Sequence, residues 1–232
     1  MSQPLAIDLF CGLGGWTEGL LAEGFEVVGF DIERHQYGEV RYPAQLVIQD
    51  VLTIHGAQFK DAALIIASPP CQAYSYRAMP WKKAKALGPP DNALFEACFR
   101  IQREACEAAG HHIPLVVENV CGAQKWVGRA RWHYGSFYLW GDVPALMPIT
   151  RTSKGGGWFD KSYAEMKKGI KQGGDWFNAS QPSISRICSS KSPARKAASA
   201  HIAKIPLPLA QWVARAWYEP ESSAAFVAGG EK

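Results

Sequence analysis

Short apolar runs alternate with helix-period stretches through the first 120 residues of this chain. Positions 5–10 (LAIDLF) form a β-type run that opens into a glycine-rich turn, and 16–23 then takes up helical spacing. Further strands are predicted at 25–30, 45–49, 62–67 and 113–117, with a long helix over 92–109. Apolar strands separated by helices are the pattern of a parallel sheet covered on both faces. The runs end at Asp31, at Asp50, at the Ser-Pro-Pro-Cys turn of 68–71 and at Glu118. Strand carboxyl ends are where open α/β sheets hold their ligands. The expected fold class is α/β, a doubly wound, mostly parallel sheet.

Beyond residue 120 the period weakens. Residues 135–140 (GSFYLW) read as another strand, and 151–200 as a compact irregular insertion rich in Gly, Ser, Lys and Trp. Residues 206–217 return to helical spacing, with Leu207, Leu209, Ala210, Val213 and Trp217 expected on the buried side. From Glu219 the chain is small and polar, a disordered tail by composition. The divisions are a main body over 1–140, a short insertion over 141–201, a returning helix over 202–218 and a tail over 219–232.

Composition changes this picture in three ways. Among 232 residues there is no apolar run of membrane length, and the first residues lack the pattern of a signal peptide, so a cytoplasmic protein is expected. The six cysteines show neither CxxC nor Cys/His metal spacing, which favours reduced thiols and no metal. The net charge of +4 is uneven: residues 151–204 carry +8 and the remainder −4. A basic segment on a mildly acidic body suits a polyanion, although a solvated lysine-rich loop gives the same count.

The candidate chemistry lies at the strand ends. Gly12, Gly14 and Gly15 sit in the first turn, where glycine lets backbone amides approach a ligand. Asp31 is spaced to accept from ribose hydroxyls and Asp50 from an adenine amino group, unless these acids simply cap helices or face water. No Walker lysine follows the glycines, so a triphosphate is disfavoured. A cofactor with ribose and adenine but little phosphate fits, and S-adenosylmethionine is one. Cys71, held on a proline-framed turn, is the candidate nucleophile. Glu118, flanked by apolar residues, is the candidate acid or hydrogen-bond donor, and Asn119 is placed to anchor the loop backbone.

DLFCGLGG (8–15), Asp31, QDV (49–51), PPCQ (69–72) and ENV (118–120) stand in the order seen in the cytosine-C5 methyltransferase family, which this chain resembles. NALF (92–95) resembles the family's next cofactor-side motif, VGRAR (127–131) its arginine pair, and IAKIPLPLA (202–210) its terminal motif. Two departures stand out. Ile202-Ala203-Lys204 replaces the usual Gly-Asn pair, and Val127 replaces a glutamine.

The resemblance implies a compact, prokaryotic or phage-like DNA (cytosine-5-)-methyltransferase with a Rossmann-like fold. It would move a methyl group from S-adenosyl-L-methionine, leaving S-adenosyl-L-homocysteine, to C5 of a flipped-out cytosine. Carried over by residue, Cys71 adds to C6, Glu118 stabilises the ring, and Arg129 and Arg131 steady the base or a phosphate. Phe10, Gly12 and Gly14 would line the methionine side and Asp31 the ribose. Ile32, Asp50, Val51 and Leu94 would surround the adenine, and Gln72, Ser75 and Asn119 would face the substrate. The implied partner is double-stranded DNA, bound by a monomer through the basic insertion, with a cognate restriction endonuclease compatible. Trp158, Phe159, Trp176 and Phe177 of that insertion suit stacking on bases, but a small core of the insertion's own is the favoured reading of them. An RNA (tRNA) cytosine-C5 methyltransferase and a non-catalytic DNA-binding relative are the alternatives.

Overall fold

The computed structural model describes residues 3–37, 39–75, 88–147 and 192–218. The lysines and aromatics singled out between 154 and 177, and the tail from Glu219, lie outside the described residues. Seven strands form one sheet: β1 Leu5–Leu9, β2 Glu26–Asp31, β3 Gln45–Ile48, β4 Leu64–Ala67, β5 Leu115–Asn119, β6 Trp132–Tyr134 and β7 Phe137–Gly141. Their order is β3-β2-β1-β4-β5-β7-β6. The first five pair in parallel, and β7 joins β5 and β6 antiparallel. The doubly wound α/β expectation is met.

The helices are α1 Gly15–Ala22, α2 Ala93–Ala109, the single turn α3 Gln124–Val127, α4 Pro193–Ala203 and α5 Leu207–Trp217. Alternation along the central strands divides the core. In β1, Ile7 and Leu9 face α2, whose Phe95, Cys98, Ile101 and Ala105 form one buried stripe at helical spacing. Ala6, Val27, Leu64, Ile66 and Val116 face the other way, against Trp16 and Leu20 of α1 and Leu209, Ala210 and Val213 of α5. β4 and β5 are buried along their whole length, as central parallel strands covered on both faces must be.

Three sequence readings need correction. β6 was not anticipated, because three residues between an arginine pair and a Gly-Ser turn carry too little pattern. The 151–200 stretch is not irregular throughout: Pro193 opens α4, where Ala, Lys and Arg are strong helix formers although the apolar period is weak. Leu207 is 40% exposed rather than buried, since it stands at the first position of α5. Ala214 takes the inner face instead.

The chain's last described helix returns to its first turn. A Cβ on Gly15 would collide with the backbone nitrogen of Ile205, so only glycine admits this approach. Lys204 closes it with an ion pair to Glu18, and Arg215 with bonds of 2.8 Å to both carboxylate oxygens of Glu23.

Candidate active site

In parallel strands the carboxyl ends lie side by side, about 4.8 Å apart per strand. Reading across the sheet, the ends are Asp50 after β3, Asp31 in β2, the glycine bend after β1, the Cys71 turn after β4, and Glu118 in β5. The strand order reverses direction between β1 and β4. The crevice at such a switch point is the ligand site of open α/β folds.

The bend after β1 is unusual in its backbone. Phe10, Gly12 and Gly14 all have positive φ, 58°, 52° and 76°. A phenylalanine held there costs energy and persists only where its surroundings dictate it. They do: Phe10 packs on the core under α2, and Cys11 N donates to Phe30 O across 3.2 Å. Gly14 could not be replaced, because Pro43 lies against its face. Gly12 has open space where a side chain would be, a cradle on the ligand side.

Asp31 braces this bend. Its Oδ2 accepts from Gly12 N at 2.9 Å and its Oδ1 from Ile32 N at 2.8 Å. His35 Nε2 is 3.4 Å from Oδ1. Burial would raise the pKa of this carboxyl, but the bonds from His35 and Gly12 outweigh it and hold it below the ordinary range. The adjacent Ile32 is 69% exposed, an apolar surface beside an acid. Asp50 caps its own turn, Oδ1 accepting from Leu52 N at 2.9 Å, so the capping alternative holds for one of its oxygens. Val51 is buried behind it, and Leu94 is half-buried in the first turn of α2.

Cys71 is half-buried and free of disulfide. Four hydrogen bonds hold its turn, three from neighbouring elements and one within it. Trp16 Nε1 donates to Ser68 Oγ at 2.9 Å, and Asn119 Nδ2 to Pro69 O at 2.9 Å. Ser75 Oγ donates to Cys71 O at 2.9 Å, and Tyr74 OH to Asn92 Oδ1 at 2.9 Å. The proline framing read from sequence is thus supplemented by contacts from β5, α1 and the start of α2. Gln72 is exposed. Glu118 is 8% exposed at the end of the neighbouring strand.

The direct substrate contact expected of Asn119 gives way to a holding role. Its side chain is buried, its nitrogen is on Pro69, and its oxygen accepts from Val120 N at 2.8 Å. Arg129 and Arg131 are exposed on the segment between α3 and β6. That segment is fixed by Ala130 N on Gln124 Oε1 and Arg131 N on Leu139 O, at 3.2 and 2.8 Å. Among the described residues no cluster of three or more His, Cys, Asp or Glu could hold a metal ion, and no helix is long and apolar enough to cross a membrane.

Sequence reasoning missed one buried network beneath the bend. Asp8 is fully buried in β1; Thr17 Oγ1 donates to its Oδ2 at 2.6 Å and lies 2.6 Å from the Tyr42 hydroxyl. The other oxygen of Asp8 has no hydrogen-bond partner among the described residues, and burial pushes the carboxyl pKa up to about 7. The signal was present: an aspartate within an apolar strand run is rare without a reason. Cys11 is also buried, and burial raises its thiol pKa far above the ordinary value, which removes it as a rival nucleophile.

These residues fit a cofactor of the S-adenosylmethionine kind. The bend offers open space at Gly12, the carboxylates of Asp31 and Asp50 stand at the ends of the two neighbouring strands as acceptors, and Ile32 gives an apolar face.

Comparison with known proteins gives the following. Residues 5–125 match the family model described as C-5 cytosine-specific DNA methylase. Among solved structures the chain is similar to a DNA modification methyltransferase encoded within an E. coli prophage (22% identity, TM-score 0.35, 54% of this chain and 34% of that one). It is also similar to the Dnmt2 methyltransferase of S. pombe (16%, 0.37, 53% and 36%) and to the methyltransferase EhMeth of Entamoeba histolytica (18%, 0.37, 54% and 40%). The aligned part thus spans little more than a third of those proteins. A search of curated proteins returned no match.

Proposed function

Because the chain belongs to the C-5 cytosine-specific DNA methylase family, we propose that it methylates C5 of cytosine in double-stranded DNA through a covalent adduct at Cys71. Its 3-2-1-4-5-7-6 sheet is the S-adenosylmethionine-dependent methyltransferase fold. One observation carries the proposal: the glycine bend and the pinned Cys71 turn flank the switch point, with Glu118 on the next strand.

Cytosine C5 is too electron-poor to take a methyl group unaided. The Cys71 thiolate adds to C6, forming the S–C6 bond and shifting the ring's electrons toward C5 and N3. Glu118 steadies that charge as a hydrogen-bond donor at N3. S-adenosylmethionine would supply the methyl group as an electrophile. Loss of the C5 proton then restores the ring double bond and expels the Cys71 sulfur.

In this reading Phe10, Gly12 and Gly14 present backbone to the methionine end, and Asp31 meets the ribose. Asp50 uses its second oxygen for the adenine amino group, with Ile32, Val51 and Leu94 as apolar walls. Gln72 and Ser75 border the flipped base, Asn119 holds the turn, and Arg129 and Arg131 take phosphate or base edges.

The test is mechanism-based trapping. With S-adenosylmethionine and duplex DNA containing 5-fluorocytosine, fluorine cannot leave as the proton does, so the protein should remain bound through Cys71, read by peptide mass spectrometry. An adduct with fluorinated transfer RNA and none with the duplex would make RNA the substrate. No adduct with either would remove the proposal.

A further inference from the structure

The turn that carries Asp50 is held by α2, the helix packed against it. Asp50, Val51 and Leu52 begin a segment that reaches Gly56 through the 3-10 turn Val51–Thr53. The turn is closed internally by Leu52 N on Asp50 Oδ1 and by Thr53 N and Oγ1 on Asp50 O, at 2.9, 2.9 and 2.7 Å. These bonds fix its shape but not its place in the molecule.

Its place is fixed by α2. Arg100 Nη1 donates to Ile54 O at 2.9 Å and Nη2 to Leu52 O at 3.3 Å, so one guanidinium bridges two carbonyls of the segment. Glu104, one helical turn on, accepts from Arg100 Nη1 at 2.9 Å and from Gly56 N at 2.6 Å. A Cβ on Gly56 would collide with the Ile101 carbonyl, so the segment lies directly on the helix. Arg100 and Glu104 are only partly exposed, at 34% and 19%, which strengthens their bonds beyond those of a surface pair. The same helix carries Leu94 two turns earlier.

We infer that Arg100 and Glu104 are positioning residues that set the adenine selectivity of the cofactor site, through the place of the Asp50–Leu52 turn. This rests on the assignment of Asp50 to the adenine amino group proposed above. A carboxylate discriminates an amino group from a carbonyl only if it stands within hydrogen-bond reach in the right direction. Asp50 projects from a turn on an edge strand, which has a neighbour on one side only. The rigid fork of Arg100, oriented by Glu104, supplies the constraint from the other side, and lysine could not span both carbonyls.

The test compares two ligands that differ only at the base: S-adenosylhomocysteine, and S-inosylhomocysteine, which bears a carbonyl in place of the amino group. Affinities are measured by calorimetry for the wild type, Arg100→Lys, Arg100→Met and Glu104→Gln, with Asp50→Ala as reference and thermal melting as a control for folding. The wild type should favour the adenine ligand by about tenfold or more, the worth of one well-made charged hydrogen bond. Arg100→Met should bring the ratio close to that of Asp50→Ala, with Arg100→Lys and Glu104→Gln between, while affinity for the inosine ligand stays near wild type.

A merely structural role would weaken both ligands together and leave the ratio alone; an unchanged ratio overturns the inference. Should Arg100→Met fail to fold, the two conservative variants carry the same comparison. A wild type that binds but shows no preference overturns the Asp50 assignment and this inference with it. A wild-type preference that Asp50→Ala loses and every Arg100 and Glu104 variant retains overturns this inference alone; one that Asp50→Ala also retains overturns the Asp50 assignment with it.

Discussion

Asn119, the last residue of β5, donates from its side-chain nitrogen to the carbonyl oxygen of Pro69 across 2.9 Å in a buried bond. A proline carbonyl at the start of the Cys71 turn is thereby fixed to the residue next to Glu118. The two segments that carry the groups proposed to act on one pyrimidine ring are tied together by this bond.

Asn119→Ala should separate them. Removing the amide strands the Pro69 carbonyl in a buried site, a loss of about 1–3 kcal/mol, measurable by urea denaturation. The rate of adduct formation with 5-fluorocytosine DNA should fall at least about tenfold, because catalytic geometry tolerates little misplacement. Affinity for S-adenosylhomocysteine should change little, since the cofactor-side strands lie on the other side of the switch point.

Cys71→Ala should abolish both turnover and adduct while leaving cofactor affinity and melting temperature near wild type. The side chain is only half-buried, and hydrogen bonds at Ser68, Pro69, Tyr74 and Ser75 hold the turn. Retained turnover would remove the thiol from the reaction.

Asp8 makes stability depend on pH in a direction opposite to most acids. Burial pushes its carboxyl from the ordinary 3.8 up to about 7, against the lowering bond from Thr17. Between those values the unfolded chain loses this proton while the fold keeps it. The contribution of Asp8 to stability therefore falls as pH rises from about 4 to 7, at about 1.4 kcal/mol per unit, and stays level above. Asp8→Asn keeps an acceptor for Thr17 and removes the titration. Its melting temperature relative to wild type should rise steadily from pH 4 to pH 7; parallel curves would exonerate Asp8.

Gly15→Ala sets two effects against each other. Alanine inside a helix gains up to about 1 kcal/mol over glycine. Here the new methyl meets the backbone of Ile205, which has no rotamer to escape into, and forced overpacking costs about 1–3 kcal/mol. The clash should win, lowering the melting temperature and loosening α5 from α1, seen as faster amide exchange over 205–213.

Much of this arrangement could be read before any coordinates. Six of the seven strands and the long helix announced themselves in the pattern of apolar positions, the five parallel strands most plainly, since a strand buried on both faces has little freedom in its composition. Each reactive residue was flagged by its place just after such a run. β6 and α4 were not legible, because neither has an apolar stripe long enough to exceed the noise of composition.

What the chain of letters determined was local: which segments must be buried, and therefore which residues fall at their ends. What only the folded molecule decided was adjacency. Hydrogen bonds such as Asn119 to Pro69, Trp16 to Ser68 and Arg100 to Leu52 join residues about fifty positions apart. No periodicity encodes a contact of that separation; it exists because sheet order and helix packing bring distant carbonyls and side-chain donors within 3.3 Å of each other, and a polar group buried there must find its partner.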